Sequence, residues 1–179
     1  MVNQMKKKKE EVVESKENNK VMAVIKELIP YVIILVVVVS FRTFIATPII
    51  VHGSSMNPTL DGGELMVLNK RSKVDRFDIV VVDTGGEEII KRVIAMPGET
   101  IACENGKVYV NGRLQEEDYS QGVTNDFEKV TLEDNQYFVM GDNRENSKDS
   151  RAYGPFKDTQ IKGTTKLVLF PFNKIGNVE

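Results

Sequence analysis

The nineteen residues from Leu28 to Ala46 restrict this chain more than any other stretch. They contain the run Tyr31-Val-Ile-Ile-Leu-Val-Val-Val-Val39, nine residues without a polar break. Wound as an α-helix at about 1.5 Å per residue, nineteen residues reach about 28 Å, close to the thickness of a bilayer's hydrocarbon. Pro30 stands near the start, and Arg42 near the end, where a long basic side chain snorkels at little cost. A β-branched run also suits a buried strand, but this one is long for a strand and no second such run exists to pair with it. A cleaved leader fits less well. No small-x-small site cleanly precedes Gly53, and the run exceeds a usual leader's apolar core. Lys6 to Lys9, Lys16, Lys20 and Lys26 all precede the run. The excess of lysine predicts residues 1–27 as a cytoplasmic basic tail, 28–46 as a transmembrane anchor and 47–179 as an extracytoplasmic domain.

Beyond residue 47 the pattern changes to short β-rich runs bounded by glycine and aspartate. Residues 65–68, 79–82, 89–96, 107–110, 137–140 and 166–170 read as strands. Asn105-Gly106 and Asn111-Gly112 are hairpin turns on either side of 107–110. Residues 115–135 are acidic and polar without a period, so the domain is expected to carry a small hairpin or loop insertion at about 101–135. The fold class is therefore mainly β, antiparallel, closed or sandwich-like. A net charge of −2 gives no global electrostatic case for nucleic acid. One cysteine, Cys103, rules out an intrachain disulfide and reads as a small core residue. With His52 the single histidine, a closed zinc site of nitrogen and sulfur ligands is also out of reach, so no metal or cofactor is expected.

Three stretches carry chemistry when taken together. Gly53-Ser54-Ser55-Met56-Asn57-Pro58-Thr59-Leu60 is a turn in which a serine can be held exposed, flanked by apolar Met56 and Leu60. Ile89 to Glu99 places Lys91-Arg92 inside an apolar strand, where the two side chains face opposite ways. A lysine desolvated among such neighbours loses affinity for its proton and can act as a general base. The alternative is that both side chains snorkel to water. Gly141-Asp142-Asn143-Arg144-Glu145-Asn146-Ser147-Lys148-Asp149-Ser150-Arg151 has the polar density of a calcium loop. Arg144 and the missing glycine exclude that. It reads instead as a hydrogen-bonded turn in which Asp142 and Asp149 pair with arginines and Ser147 contacts a buried lysine. His52 precedes Ser55 by three residues, so an extended backbone turns the two side chains apart and argues against a serine–histidine pair.

These motifs, in this order behind an apolar anchor, resemble the bacterial type I signal peptidases, in the compact single-anchor form found in Gram-positive bacteria. The resemblance runs from the anchor to the C-terminus. It implies a membrane-anchored serine endopeptidase that removes signal peptides from secreted preproteins, built as a β-rich catalytic domain of coiled antiparallel sheets. It implies Ser55 as nucleophile, Lys91 as general base and Ser147 as the group that orients the lysine amine. Asp149, Asp142, Arg92, Arg144 and Arg151 would brace the site as ion pairs. The Ser55 N–H would form the oxyanion hole with a contribution at Gly53, where some members carry a serine. Val51, Met56, Leu60 and Ile90 match positions lining shallow pockets for small side chains. The implied partners are signal peptides of secretory preproteins, the lipid bilayer and a nearby secretion translocon, with no nucleic acid. The implied location is the cell membrane, crossed once. Two other readings stay open: a self-cleaving serine–lysine peptidase of the repressor type, and a catalytically weak membrane-anchored binding homologue.

Overall fold

The computed structural model describes residues 22, 24–40, 42 and 46–178. The chain divides into two units, Met1–Thr43 and Phe44–Glu179. In the first, residues 24–40 are helical (α1) and expose their side chains. No helix among the described residues is long and apolar enough to cross a membrane. The helical stretch already includes Lys26 and Glu27, assigned above to the tail, and Ala46 belongs to a strand of the second unit. Residues 1–21 and 23 of the basic tail, and positions 41 and 43–45 of the expected anchor, lie outside the described residues.

The second unit is built of two antiparallel sheets. The larger has eight strands, in the order β1 (Ala46–Ile50), β2 (Leu65–Asn69), β11 (Ile161–Phe170), β3 (Ile79–Asp83), β4 (Glu88–Ala95), β9 (Gln136–Met140) and β10 (Phe156–Lys157), with β12 (Gly176–Asn177) paired to β11. The smaller runs β7 (Arg113–Leu114), β6 (Lys107–Val110), β5 (Thr100–Glu104) and β8 (Phe127–Thr131). Only short helical turns interrupt the strands, among them the four-residue α2, Ser150–Tyr153.

The local sequence accounts for most of these elements. Asn105, Gly106, Asn111 and Gly112 all have φ between 51° and 75°, the left-handed values that tight two-residue hairpin turns require. The continuous apolar run Ile79–Val82 is buried at every position because apolar clusters cover both faces of the sheet there. One cluster contains Val80, Val82, Val93, Val139 and Phe156; another contains Val51, Met56, Leu60, Met66, Ile79 and Val168. A third, including Ile94, Ile101, Val108 and Phe138, joins the two sheets. Cys103 is a member of this third cluster, and burial pushes its thiol up to about 11, as suits a core residue.

Two segments depart from the sequence reading. Residues 115–135 are not all loop: β8 lies within them and completes the small sheet, its sparse apolar positions packed on one face only. Strand β11 begins at Ile161 rather than 166, because Gly163, Thr164 and Thr165 are buried by pairing between β2 and β3 despite their weak hydrophobicity.

Strand β4 crosses the centre of the large sheet, and its register puts Lys91 opposite Val80 and Arg92 opposite Ile79. Arg92 is 1% exposed, and its guanidinium forms a two-point ion pair with Asp142, Nε to Oδ1 at 2.9 Å and Nη2 to Oδ2 at 2.7 Å. Removing one partner strands the other charge in the core. Arg92→Ala or Asp142→Ala should each cost about 3–5 kcal/mol of stability, and the double replacement should cost less than the sum. Urea denaturation of the three variants measures both quantities.

Candidate active site

The turn carrying Ser55 has no regular structure, yet it is closed at its base. The Val51 N–H donates to the Glu64 carbonyl and the Gly63 N–H to the Val51 carbonyl. Val51, Met56 and Leu60 are buried beneath the turn in one apolar cluster, and Ile90 packs at its margin half-exposed. Gly53 has φ +77°, a value at which a side chain is strained. His52 is exposed and lies off the Ser55 hydroxyl, whose described partner is Lys91.

Lys91 reaches that hydroxyl from β4, with Nζ 2.9 Å from Ser55 Oγ and 2.8 Å from the Ile90 carbonyl oxygen. The side chain is 3% exposed, and both contacts are to uncharged oxygens. Burial brings the Lys91 ammonium down from 10.5 to about 8. Asp149, Glu87 and Asp142 oppose the fall through their charges, and Arg151 assists it. The shift amounts to about 3 kcal/mol against the charged form. At pH 7.5 roughly a quarter of such lysines are neutral, against about one in a thousand at the ordinary value.

The loop after β9 closes over this pair. Gly141 donates its N–H to Asp149 Oδ2 at 2.9 Å. A Cβ at Gly141 would overlap the Ser147 side chain and the main-chain oxygen of Ser55, so only glycine lets the loop approach the turn. Asn143 then holds the turn twice, its main-chain N–H to the Ser55 carbonyl at 3.0 Å and its side-chain amide to the Ser54 carbonyl at 3.1 Å. Ser147 donates its hydroxyl to Asp149 at 2.6 Å. Toward any amine that oxygen is therefore an acceptor.

The five charged residues expected around the site form buried pairs. Arg151 grips Asp149 at two points, 2.9 and 2.8 Å. Burial works against ionisation of Asp149, but the bonds from Arg151, Ser147 and the Gly141 N–H outweigh it and hold the carboxyl below its usual range. Asp142 takes Arg92 as described, and Thr59 donates to the same Asp142 carboxylate, tying the Ser55 turn to the pair. Arg144, also expected to brace the site, finds its carboxylate in Glu117, outside the three motifs. The sequence reading gave no part to Thr59, Gly141, Asn143 or Glu117. The first three stand inside the motifs, where turn-forming and hydroxyl residues are dense enough to have marked them. Glu117 lies in an acidic loop without periodicity and carries no local signal.

Residues 24–170 match the family model described as "Signal peptidase, peptidase S26". The chain is 40% identical over 161 residues to signal peptidase I S of Bacillus subtilis (strain 168), an alignment covering 80% of this chain and 88% of that one. It is 32% identical over 195 residues to signal peptidase I of Streptococcus pneumoniae, covering 85% and 96%. A solved signal peptidase I from Enterococcus faecalis V583 aligns with a TM-score of 0.48 and 32% identity, covering 52% of this chain and 97% of that one. The chain belongs to the signal peptidase family, peptidase S26.

The close approach at Gly141 makes a strict test of the geometry. Gly141→Ala should fold, since the glycine is not at positive φ, but should displace Ser147 and the Ser55 turn. Peptidase activity should fall about a hundredfold, the scale of a 1 Å misplacement, with circular dichroism unchanged.

Proposed function

We propose that this chain is a membrane-anchored serine endopeptidase that removes signal peptides from secretory preproteins, with Ser55 and Lys91 as a catalytic dyad. The observation that carries the reading is the 2.9 Å contact between the Ser55 hydroxyl and a buried lysine that has no carboxylate within hydrogen-bond reach among the described residues. Family membership and the names of the relatives supply the substrate class.

Neutral Lys91 takes the proton of Ser55 as the oxygen attacks the scissile carbonyl. The Ser55 N–H, which donates to no described backbone acceptor, faces the oxyanion as one donor. Protonated Lys91 then hands its proton to the departing amine, the new N-terminus of the mature protein. A water deprotonated by Lys91 releases the signal peptide from the acyl-enzyme. Throughout, two amine hydrogens of Lys91 need acceptors so that its lone pair stays aimed at Ser55. The Ile90 carbonyl is one; the family resemblance assigns the other to Ser147, whose hydroxyl here donates to Asp149 and so has an acceptor lone pair free for the amine. Ile90 offers apolar surface beside the dyad, and Val51, Met56 and Leu60 form the bed that keeps this surface shallow, which favours small substrate side chains.

The apolar stretch 28–46 behind lysines 6 to 9, 16, 20 and 26 supports a single-pass anchor with the N-terminus in the cytoplasm. The catalytic unit then works on the outer side, where signal peptides emerge near the translocon. A shared membrane surface raises the effective concentration of enzyme and substrate.

Cleavage of a preprotein ending in Ala-x-Ala, by the full chain in detergent, tests this directly. Because the neutral amine is the active form, kcat/KM should rise with pH through a midpoint of about 8 and level off above it. Ser55→Ala and Lys91→Ala should each lose about a thousandfold or more. Wild-type rates from either variant would sink the dyad. The Glu87 charge favours the ammonium form of Lys91 from the exposed end of the β3–β4 turn. Glu87→Gln should therefore move the midpoint to lower pH, most clearly at low salt.

A further inference from the structure

The segment 117–124 runs between β7 and β8 of the small sheet and packs against the catalytic loop, and none of the three motifs includes it. It makes four kinds of contact. Glu117 accepts both guanidinium nitrogens of Arg144, at 2.9 and 2.8 Å, while Arg144 Nε donates to the Gly141 carbonyl at 3.0 Å. Thr124 Oγ1 accepts from the same guanidinium at 3.0 Å. Gln121 exchanges main-chain bonds with the loop, its N–H to the Asp142 carbonyl at 2.7 Å and its carbonyl accepting from the Arg144 N–H at 2.8 Å. Tyr119 lays its ring 4.3 Å from the Arg92 guanidinium and 6.0 Å from that of Arg144, and its hydroxyl donates to Glu117.

These contacts converge on the residues with least freedom to move. Arg144 is 2% exposed, so its charge is tolerated only while Glu117 is present. Its Nε fixes the carbonyl of Gly141, the residue that abuts Ser147 and the Ser55 main chain. Asp142, one residue on, is gripped by Arg92 on its side chain and by Gln121 on its main chain. A shift of Glu117 is therefore passed through one guanidinium to the spot where the loop meets the nucleophile turn. Resting on the dyad reading above, we propose that Glu117 and Tyr119 are positioning residues. Through Arg144 and Arg92 they set the loop 141–149 against Ser55 and Lys91, so that the small sheet contributes to catalysis.

The reading predicts a split between kinetic constants. The loop carries Ser147 and touches Ser55, whereas the apolar bed and Ile90 belong to other elements, so turnover should suffer and substrate affinity should not. The test measures kcat, KM and melting temperature for the full chain in detergent, with a preprotein ending in Ala-x-Ala. Glu117→Ala should lower kcat about tenfold or more with KM within about twofold, at a temperature where the variant is folded. Glu117→Gln, which still accepts from Arg144, should recover part of the loss, and Tyr119→Leu should lower kcat more than Tyr119→Phe. Glu117→Ala combined with Arg144→Ala should lose no more than Arg144→Ala alone, because both act along one path. A folded Glu117→Ala enzyme with wild-type kcat, or losses that multiply in the double variant, would overturn the proposal. If Glu117→Ala does not fold, the ordering of Tyr119→Leu below Tyr119→Phe and the deficit of Glu117→Gln decide it. Wild-type cleavage with unaffected variants refutes this inference alone, whereas no cleavage by the wild type refutes the peptidase reading and this inference with it.

Discussion

The arrangement depends first on the buried pair between Arg92 and Asp142. Two charges removed from water cost several kcal/mol each, and their mutual attraction roughly repays that. The pair is better understood by the geometry it imposes. It links β4 to the loop after β9, and Thr59 brings in the Ser55 turn by donating to the same carboxylate. Successive strand residues face opposite ways, so fixing Arg92 on one face fixes Lys91 on the other. A slip of one residue in β4 would exchange them, burying the lysine against Asp142 and directing the arginine at Ser55. The bidentate fork of arginine prevents this, because a single ammonium cannot replace it.

The remaining charges explain how the lysine escapes capture. Asp149 exerts the largest charge effect on Lys91, yet its two oxygens already accept from Arg151, Ser147 and the Gly141 N–H. Asp142 is likewise taken by Arg92. Each of these two carboxylates thus has its own arginine, and the pairs leave little net field at Lys91. Desolvation is then the largest influence, and it lowers the proton affinity. Without the arginine beside it, the charge of Asp149 would hold the lysine more firmly protonated.

How much of this was legible in the sequence follows from which signals are local. The asparagine–glycine turns, the strand at Ile79–Val82 and the Lys91-Arg92 alternation depend on neighbours in the chain, and the structure reproduces all three. Pairing of Asp142 and Asp149 with arginines was readable because unpaired charges do not stay buried. Strand β8 was not, since it has few apolar residues and gains its place by pairing with β5. Neither was Glu117, whose partner lies twenty-seven positions away across a sheet boundary. Glycine 141 carried a motif signal but no stated reason. The reason is the approach of two other segments, which appears only in three dimensions.

The Ser55 turn shows how an irregular segment can be held as firmly as a strand. Below it, Val51, Met56 and Leu60 anchor both ends in one apolar cluster, and the Leu60 N–H donates back to the Met56 carbonyl. Above it, Asn143 takes two successive carbonyls, those of Ser54 and Ser55, which belong to the two peptide planes flanking the Ser55 Cα. With both carbonyls engaged, the peptide planes around Ser55 cannot rotate freely, and the direction of its N–H is set by the loop rather than by the turn alone. Gly53 belongs to the same constraint. At φ +77° a serine would cost about 1 kcal/mol, so the turn that presents Ser55 here is one that disfavours a hydroxyl side chain two residues earlier. In the proposed mechanism a second oxyanion donor then has to come from a group other than the side chain at 53, while the loop that holds Asn143 keeps the proposed first donor, the Ser55 N–H, in place.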